Sequence, residues 1–197
     1  WNASVETYAK RFQALVVPDP VTNYSNAGTG EARGVEVLLR RAFTERVAGW
    51  AAYAHGSSRR RDGPGTPERF SDYDIPDMLS LVGRVRLLPG WSVSGRWRLA
   101  SGTPYTPVTG KTTDTAGNAF PVFGPVNSAR LPPYARLDLR TEAEFRFEGF
   151  TVTPYVELLN ATDHENLAVV VWSANYSGER RVEQLPRTNF LGVQVTF

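Results

Sequence analysis

A chain of 197 residues, 21% charged and 41% apolar, is long enough for one sizeable domain and is composed like neither a disordered tail nor a helical membrane bundle. A formal net charge of +2 is too small to argue for nucleic acid as a partner, and the absence of cysteine removes disulfide frameworks and thiolate chemistry. The longest apolar run, "LAVVVW" at 167–172, falls far short of the ~20 residues a membrane-spanning helix needs, whereas a tilted spanning strand needs only ~9–11, every second one apolar.

Alternation and turn signals predict eight strands, at about 1–12, 31–43, 50–57, 78–87, 91–101, 135–147, 150–159 and 190–197. The first opens on "WNASVE", already alternating and without an initiator Met, and the chain reads as part of something longer. Three connections are short: "TERVAG" (44–49), "LPG" (88–90) and "EG" (148–149). The others, 13–30, 58–77, 102–134 and 160–189, are long and rich in Gly, Pro, Ser, Thr and Asn. Short and long links alternate, which places every short turn at one end of the sheet. With "LPG" as a three-residue loop and Gly90 left-handed, Leu87 faces Trp91. Leu79, Leu81, Val85, Val93, Trp97 and Leu99 then share one face, and Arg84, Arg86, Arg96 and Arg98 the other. With "EG" as a two-residue loop, Phe147 faces Phe150 and Arg140 faces Glu157. Pro154 resists its strand, because it has no N–H for the ladder.

The stretch "YARLDLRTEAEFRFEGF" (134–150) poses the functional question. Arg136, Asp138, Arg140, Glu142, Glu144 and Arg146 alternate with Leu137, Leu139, Thr141, Ala143, Phe145 and Phe147, which gives one apolar and one charged face. A soluble protein turns the apolar face inward and a membrane barrel turns it outward to lipid. Periodicity leaves both open. Three features favour the barrel. Trp1, Phe43, Trp50, Trp91, Phe147, Phe150 and Phe197 crowd the short-turn end, as in an interfacial aromatic belt. Short turns oppose long loops, as at periplasmic and extracellular ends. The last strand sets Leu191, Val193, Val195 and Phe197 on one face.

The order of segments resembles the C-terminal end of TonB-dependent outer-membrane receptors. "GEARGVEVLL" (30–39), "SGTPYTPVTG" (101–110), "NSARLPPYARLDLR" (127–140), "PYVELLNATDHEN" (154–166) and "LPRTNFLGVQVTF" (185–197) carry the resemblance over nearly the whole chain. It implies an all-β, antiparallel transmembrane barrel segment, about eight of the family's ~22 strands, without the plug domain and the remaining strands. The charged row 136–148, with Glu157, then faces a lumen and plug, and Leu137, Leu139, Phe145 and Phe147 face lipid. The implied function is uptake of a scarce nutrient, such as a siderophore, across the bacterial outer membrane. The implied partners are outer-membrane lipid, the plug, the TonB complex, a small-molecule ligand and the barrel-assembly machinery. The row Leu191, Val193, Val195, Phe197 resembles the signal read by that machinery. A small stand-alone barrel with a structural or adhesive role and a soluble ligand-binding β-domain remain alternatives.

No enzyme chemistry is expected. "GTGEARG" departs from the dinucleotide fingerprint and precedes a strand, no nucleophile elbow is present, and a Ser–His–acid site would have to use His164. No cofactor or metal is expected: the only histidines are His55 and His164, and Asp72, Asp74 and Asp77 in "SDYDIPD" lack the spacing of a calcium loop. Tyr73, Tyr105, Trp172 and Tyr176 lie on long loops and are candidate ligand contacts, with loop packing as the plainer reading. The run Arg59–Arg61 suits lipopolysaccharide phosphate or a solvated loop edge. The N-x-S/T triplets at Asn2, Asn23, Asn160 and Asn175 carry no weight.

Overall fold

A computed structural model describes residues 1–41, 44 and 46–197. Ala42, Phe43 and Glu45, and with them the end of the second predicted strand and one aromatic of the expected belt, lie outside the described residues. Among those described there are sixteen strands and no helix: β1 (Asn2–Asp19), β2 (Asn23–Arg41), β3 (Val47–Arg61), β4 (Arg69–Phe70), β5 (Asp77–Leu88), β6 (Trp91–Ala100), β7 (Pro104–Tyr105), β8 (Val108–Thr113), β9 (Ala119–Phe123), β10 (Ala129–Arg130), β11 (Tyr134–Ala143), β12 (Phe145–Phe147), β13 (Phe150–Leu159), β14 (Leu167–Trp172), β15 (Glu179–Glu183) and β16 (Thr188–Thr196).

The main sheet is an antiparallel meander, β1-β2-β3-β5-β6-β11-β13-β16, in which β12 continues β11 along β13. Each of the eight predicted strands is one of its members. Among the described residues β1 and β16 are its two edges and do not pair, so the sheet does not close.

Register sorts the side chains. Ala3, Leu39, Ala51, Leu81, Trp97 and Leu137 stand side by side in one row, and Val5, Val37, Tyr53, Leu79 and Leu99 in the next. Val93, Thr141, Val156 and Leu191 form another row on that face. The opposite face holds Asp138, Arg96, Val82, Trp50 and Arg40 in one row. Only Val17 and Ala48 are buried apolar side chains among the described residues, while Leu191 is 83% and Val193 63% exposed. A water-soluble domain of this size hides most of its apolar surface. This sheet presents an apolar face that needs a covering from outside the chain.

The tight turns hold their expected register at "EG". Phe147 pairs with Phe150, their rings stacked with centroids 4.9 Å apart, and Arg140 pairs with Glu157. Gly149 has φ +84°, and Gly90 φ +78°, conformations open to glycine at little cost. At "LPG" the pairing differs from expectation: Leu88, not Leu87, faces Trp91, because a bulge between Arg86 and Leu88 takes up one residue. The apolar pairs beyond it, Leu79–Leu99, Leu81–Trp97 and Val85–Val93, match the reading. Pro154 stays within β13. The β11–β13 ladder breaks opposite it, between Glu142–Tyr155 and Phe145–Val152, and Glu144 N–H donates instead to Gly90 O at 2.6 Å. Thus the missing proline N–H costs a local gap and leaves the register unchanged.

The loop end departs most from the sequence reading. Residues 13–30 are not a long loop: β1 and β2 stay paired to Asp19–Asn23, with irregularities between Phe12 and Val17. Asp19 Oδ1 accepts the N–H groups of Val21 and Thr22 and closes the turn. β3 begins at Val47, not at Trp50, which places Trp50 on the charged face opposite Arg40 and Val82 and removes it from the aromatic belt. Polar loop-like composition concealed strands that run on beyond the apolar band.

Candidate functional site

On the charged face, β11 carries an ion-pair ladder. Arg136 Nε donates to Asp138 Oδ1 at 2.7 Å. Glu142 accepts from Arg84 at 2.8 Å and from Arg140 at 3.0 Å, and Arg140 also stands 3.8 Å from Glu157. Arg146 pairs with Glu144. The Arg140 guanidinium lies 3.8 Å from the ring centre of Tyr155, whose ring lies over Gly192 where a Cβ would collide. Among the described residues Arg86, Arg96 and Arg98 have no such acidic partner; Arg98 sits 5.6 Å from the Tyr134 ring centre. The register therefore puts ten of the eleven charged residues singled out from the sequence on one face, and Glu144, between β11 and β12, joins them through its pair with Arg146; the face is neutralised along β11 and basic along β5 and β6.

At the loop end, polar residues tie the connections to the sheet. Arg69 forks onto Asp62 at 2.6 and 3.0 Å and reaches Asp72 at 3.1 Å. These bonds hold the Asp62 carboxyl below the usual carboxylate range. Burial pushes the Asp72 carboxyl up, but bonds from Asn127 and Arg69 outweigh it and leave the group lowered. Asp74 is 1% exposed, pairs with Arg130, and accepts the Ser58 N–H at 2.5 Å. The Phe70 ring lies between two guanidinium groups, Arg59 at 4.0 Å and Arg130 at 4.5 Å from its centre. Asp77 belongs to a different group, bonded to Tyr53 Oη at 2.7 Å and His55 Nδ1 at 2.8 Å. Asp72, Asp74 and Asp77 thus answer to separate partners, and no metal-binding trio forms among the described residues.

A second anchor involves residues the sequence reading did not single out. Asn166 Oδ1 accepts the Ala135 N–H and its Nδ2 donates to the Ala135 carbonyl, both at 2.8 Å, so one side chain replaces a neighbouring strand. Asn160, 1% exposed, donates to the carbonyls of His164 and Leu185 and accepts the His164 N–H. His164 takes part here through its backbone. The Asn-rich segment 160–166 was visible as a pattern, but its partners lie 22 to 31 residues away in sequence.

The candidate ligand contacts occupy three connections. Tyr73 is 86% exposed between β4 and β5, Tyr105 pairs with Ala129 across β7 and β10, and Trp172 pairs with Glu179 at the tip of the β14–β15 hairpin, whose turn contains Tyr176. Leu191, Val193 and Val195 line one face of the edge strand β16, and Phe197 is 97% exposed just beyond it.

A one-layer antiparallel meander with an uncovered apolar face, a charged opposite face, tight turns at one end and anchored loops at the other is a piece of β-barrel wall. The sequence model of the family described as TonB dependent receptor-like, beta-barrel matches residues 1–161, and the chain belongs to that family. No match to the chain was found among curated proteins. The family implies the bacterial outer membrane, with a plug domain and TonB contact in the full protein. The C-terminal strand, including Leu191, Val193, Val195 and Phe197, lies beyond the matched residues.

Proposed function

We propose that this chain is the C-terminal barrel segment of an outer-membrane transporter that takes up a scarce nutrient, a siderophore or other small ligand, with energy delivered through the TonB complex. The observation that carries the reading is the inversion of the sheet: apolar rows exposed on one face, paired charge on the other. In a barrel the apolar rows meet lipid and the charged rows face the lumen, where water and a plug solvate them. An eight-stranded closed barrel is too narrow for so many charges without a nearly complete ion-pair network. Among the described residues Arg86, Arg96 and Arg98 have no acidic partner, and β1 does not pair with β16. Both points favour a wall of a wider, plugged barrel over a small stand-alone one.

Capture falls to the loop end, where Tyr73 is the most exposed of the four aromatic candidates. The basic row Arg86, Arg96 and Arg98 then meets acidic groups of the plug or of a passing anionic ligand. No bond-making chemistry is assigned to the chain, and the terminal row ending at Phe197 serves assembly through strand addition at an open edge. The test is uptake by cells lacking the gene, supplied with radiolabelled ferric siderophores, corrinoids and oligosaccharides. Loss of uptake of one class, restored by the gene only when TonB is intact, supports the reading. Full uptake of every class without the gene overturns it.

A further inference from the structure

Strands β1 to β3 run beyond the apolar band, and on its outward face they carry arginine. The row of Thr7, Val35 and His55 is followed toward the loops by Ala9, Arg33 and Ser57, and then by Arg11, Glu31 and Arg59. Arg61 comes next, opposite Thr29. Same-face neighbours on a strand are about 7 Å apart, so Arg33 lies about 7 Å and Arg11 and Arg59 about 13 Å beyond the Val35–His55 row. With strands tilted by about 40°, these become heights of about 5 and 10 Å, the first within a headgroup layer roughly 5–8 Å deep and the second at its outer edge.

Four guanidinium groups there meet two carboxylates, Glu31 and Glu68. Glu68 stands 4.0 Å from Arg59 Nη1 and 3.8 Å from Arg61 Nη2, too far for a hydrogen bond, so both forks keep their donors. Phe70 backs the Arg59 plane at 4.0 Å. A concavity of about 300 Å³ opens among Arg11, Glu31, Arg59, Arg60, Arg61 and Glu68. Arg60, the middle of the run, pairs across to Arg69 and Gly30 on the other face and lies 3.2 Å from Asp62.

We propose that this outward patch binds the phosphate groups of outer-leaflet lipid headgroups. The proposal rests on reading the sheet as an outer-membrane wall with its long loops outside the cell. A guanidinium fork matches phosphate oxygens two at a time, and the excess of arginine over carboxylate leaves charge for an external anion. Free phosphate offers the same oxygens, but only a lipid is held at this height on the lipid-facing side, and a ligand bound for the lumen does not pass it.

The test is native mass spectrometry of the full-length protein in detergent, titrated with lipopolysaccharide, with its dephosphorylated form and with inorganic phosphate. The wild type binds the phosphorylated lipid. Arg33→Gln alone, at an exposed position, weakens it about five-fold, the loss expected for one guanidinium at an anionic surface, and Arg33→Gln with Arg59→Gln and Arg61→Gln about a hundred-fold. Arg60→Gln, facing the other way, changes it less than about two-fold. Equal binding of the dephosphorylated lipid, equal binding by the triple variant while its heat-modifiable gel mobility is normal, or inorganic phosphate binding as tightly as the lipid overturns the proposal. A protein absent from the outer membrane removes the transporter reading as well; a membrane-embedded, transporting protein without lipid binding removes the headgroup site alone.

Discussion

Charge is arranged differently in two regions of the sheet. Along β11 the carboxylates of Asp138 and Glu142 are each met within hydrogen-bond distance by a guanidinium from their own or a neighbouring strand, Arg136–Asp138 and Arg84–Glu142–Arg140. On the outward face of β1 to β3, four arginines meet Glu31 and, from the β3–β4 connection, Glu68, which stands 3.8 to 4.0 Å from Arg61 and Arg59, beyond hydrogen-bond reach. The first region settles its charge within the chain, as a surface over a lumen must wherever water is scarce. The second leaves charge for something outside the chain. Its position above the apolar band, rather than the number of arginines, marks the difference.

The largest effects are expected at the loop anchors. Arg130→Met leaves Asp74 buried without its partner, and losing one member of such a pair costs roughly 3–5 kcal/mol. Limited proteolysis should then cut within residues 62–76 while the sheet remains intact. Next in size, Leu137→Arg or Val93→Arg places a cation on the apolar face, where arginine at the bilayer midplane costs about 2–4 kcal/mol. Membrane yield and heat-modifiable mobility should fall. Asn160→Ala strips the bonds to His164 and Leu185 from a buried site at a cost of roughly 1–3 kcal/mol, and the 160–187 connection should exchange amide hydrogens faster. Arg140→Gln, on the paired face, should cost about 1 kcal/mol or less; an effect as large as that of Leu137→Arg would erase the distinction between the faces.

Acid probes the loop anchors separately. Asp62 and Asp72 have folded-state values below the unfolded carboxylate value of about 3.9. Their contribution is therefore full above about pH 4 and is lost as pH falls through the lowered folded values. Protease protection of residues 62–72 should hold at pH 5 and disappear at more acid pH. Arg69→Gln should move that loss upward in pH.

Strand number, faces and the "EG" register were legible in the sequence because each depends on alternation and a glycine turn, both local. The overshoot of β1 to β3 was not, since Pro18, Asn23, Gly28 and Gly30 look like loop composition and only pairing with a neighbour makes them strand. The same blindness hid the split of the arginine run: Arg59 and Arg61 face outward and Arg60 the other way only once β3 is known to reach Arg61. Asn160, Asn166 and Arg130 escaped for another reason. Their roles are set by backbone groups distant in sequence, which no local pattern announces.

Which face of the sheet meets water is read out by the accessibility of single side chains. The chain contains no cysteine, so once any cysteine elsewhere in the full-length protein is replaced, single cysteines can be placed in turn at positions 136 to 141 of that protein in its membrane. Cysteines replacing Arg136, Asp138 and Arg140 should react with a water-soluble thiol reagent, and those replacing Leu137, Leu139 and Thr141 should react only with a lipid-soluble one. The opposite phase, or reaction without a two-residue period, would mean that the charged row does not face the lumen.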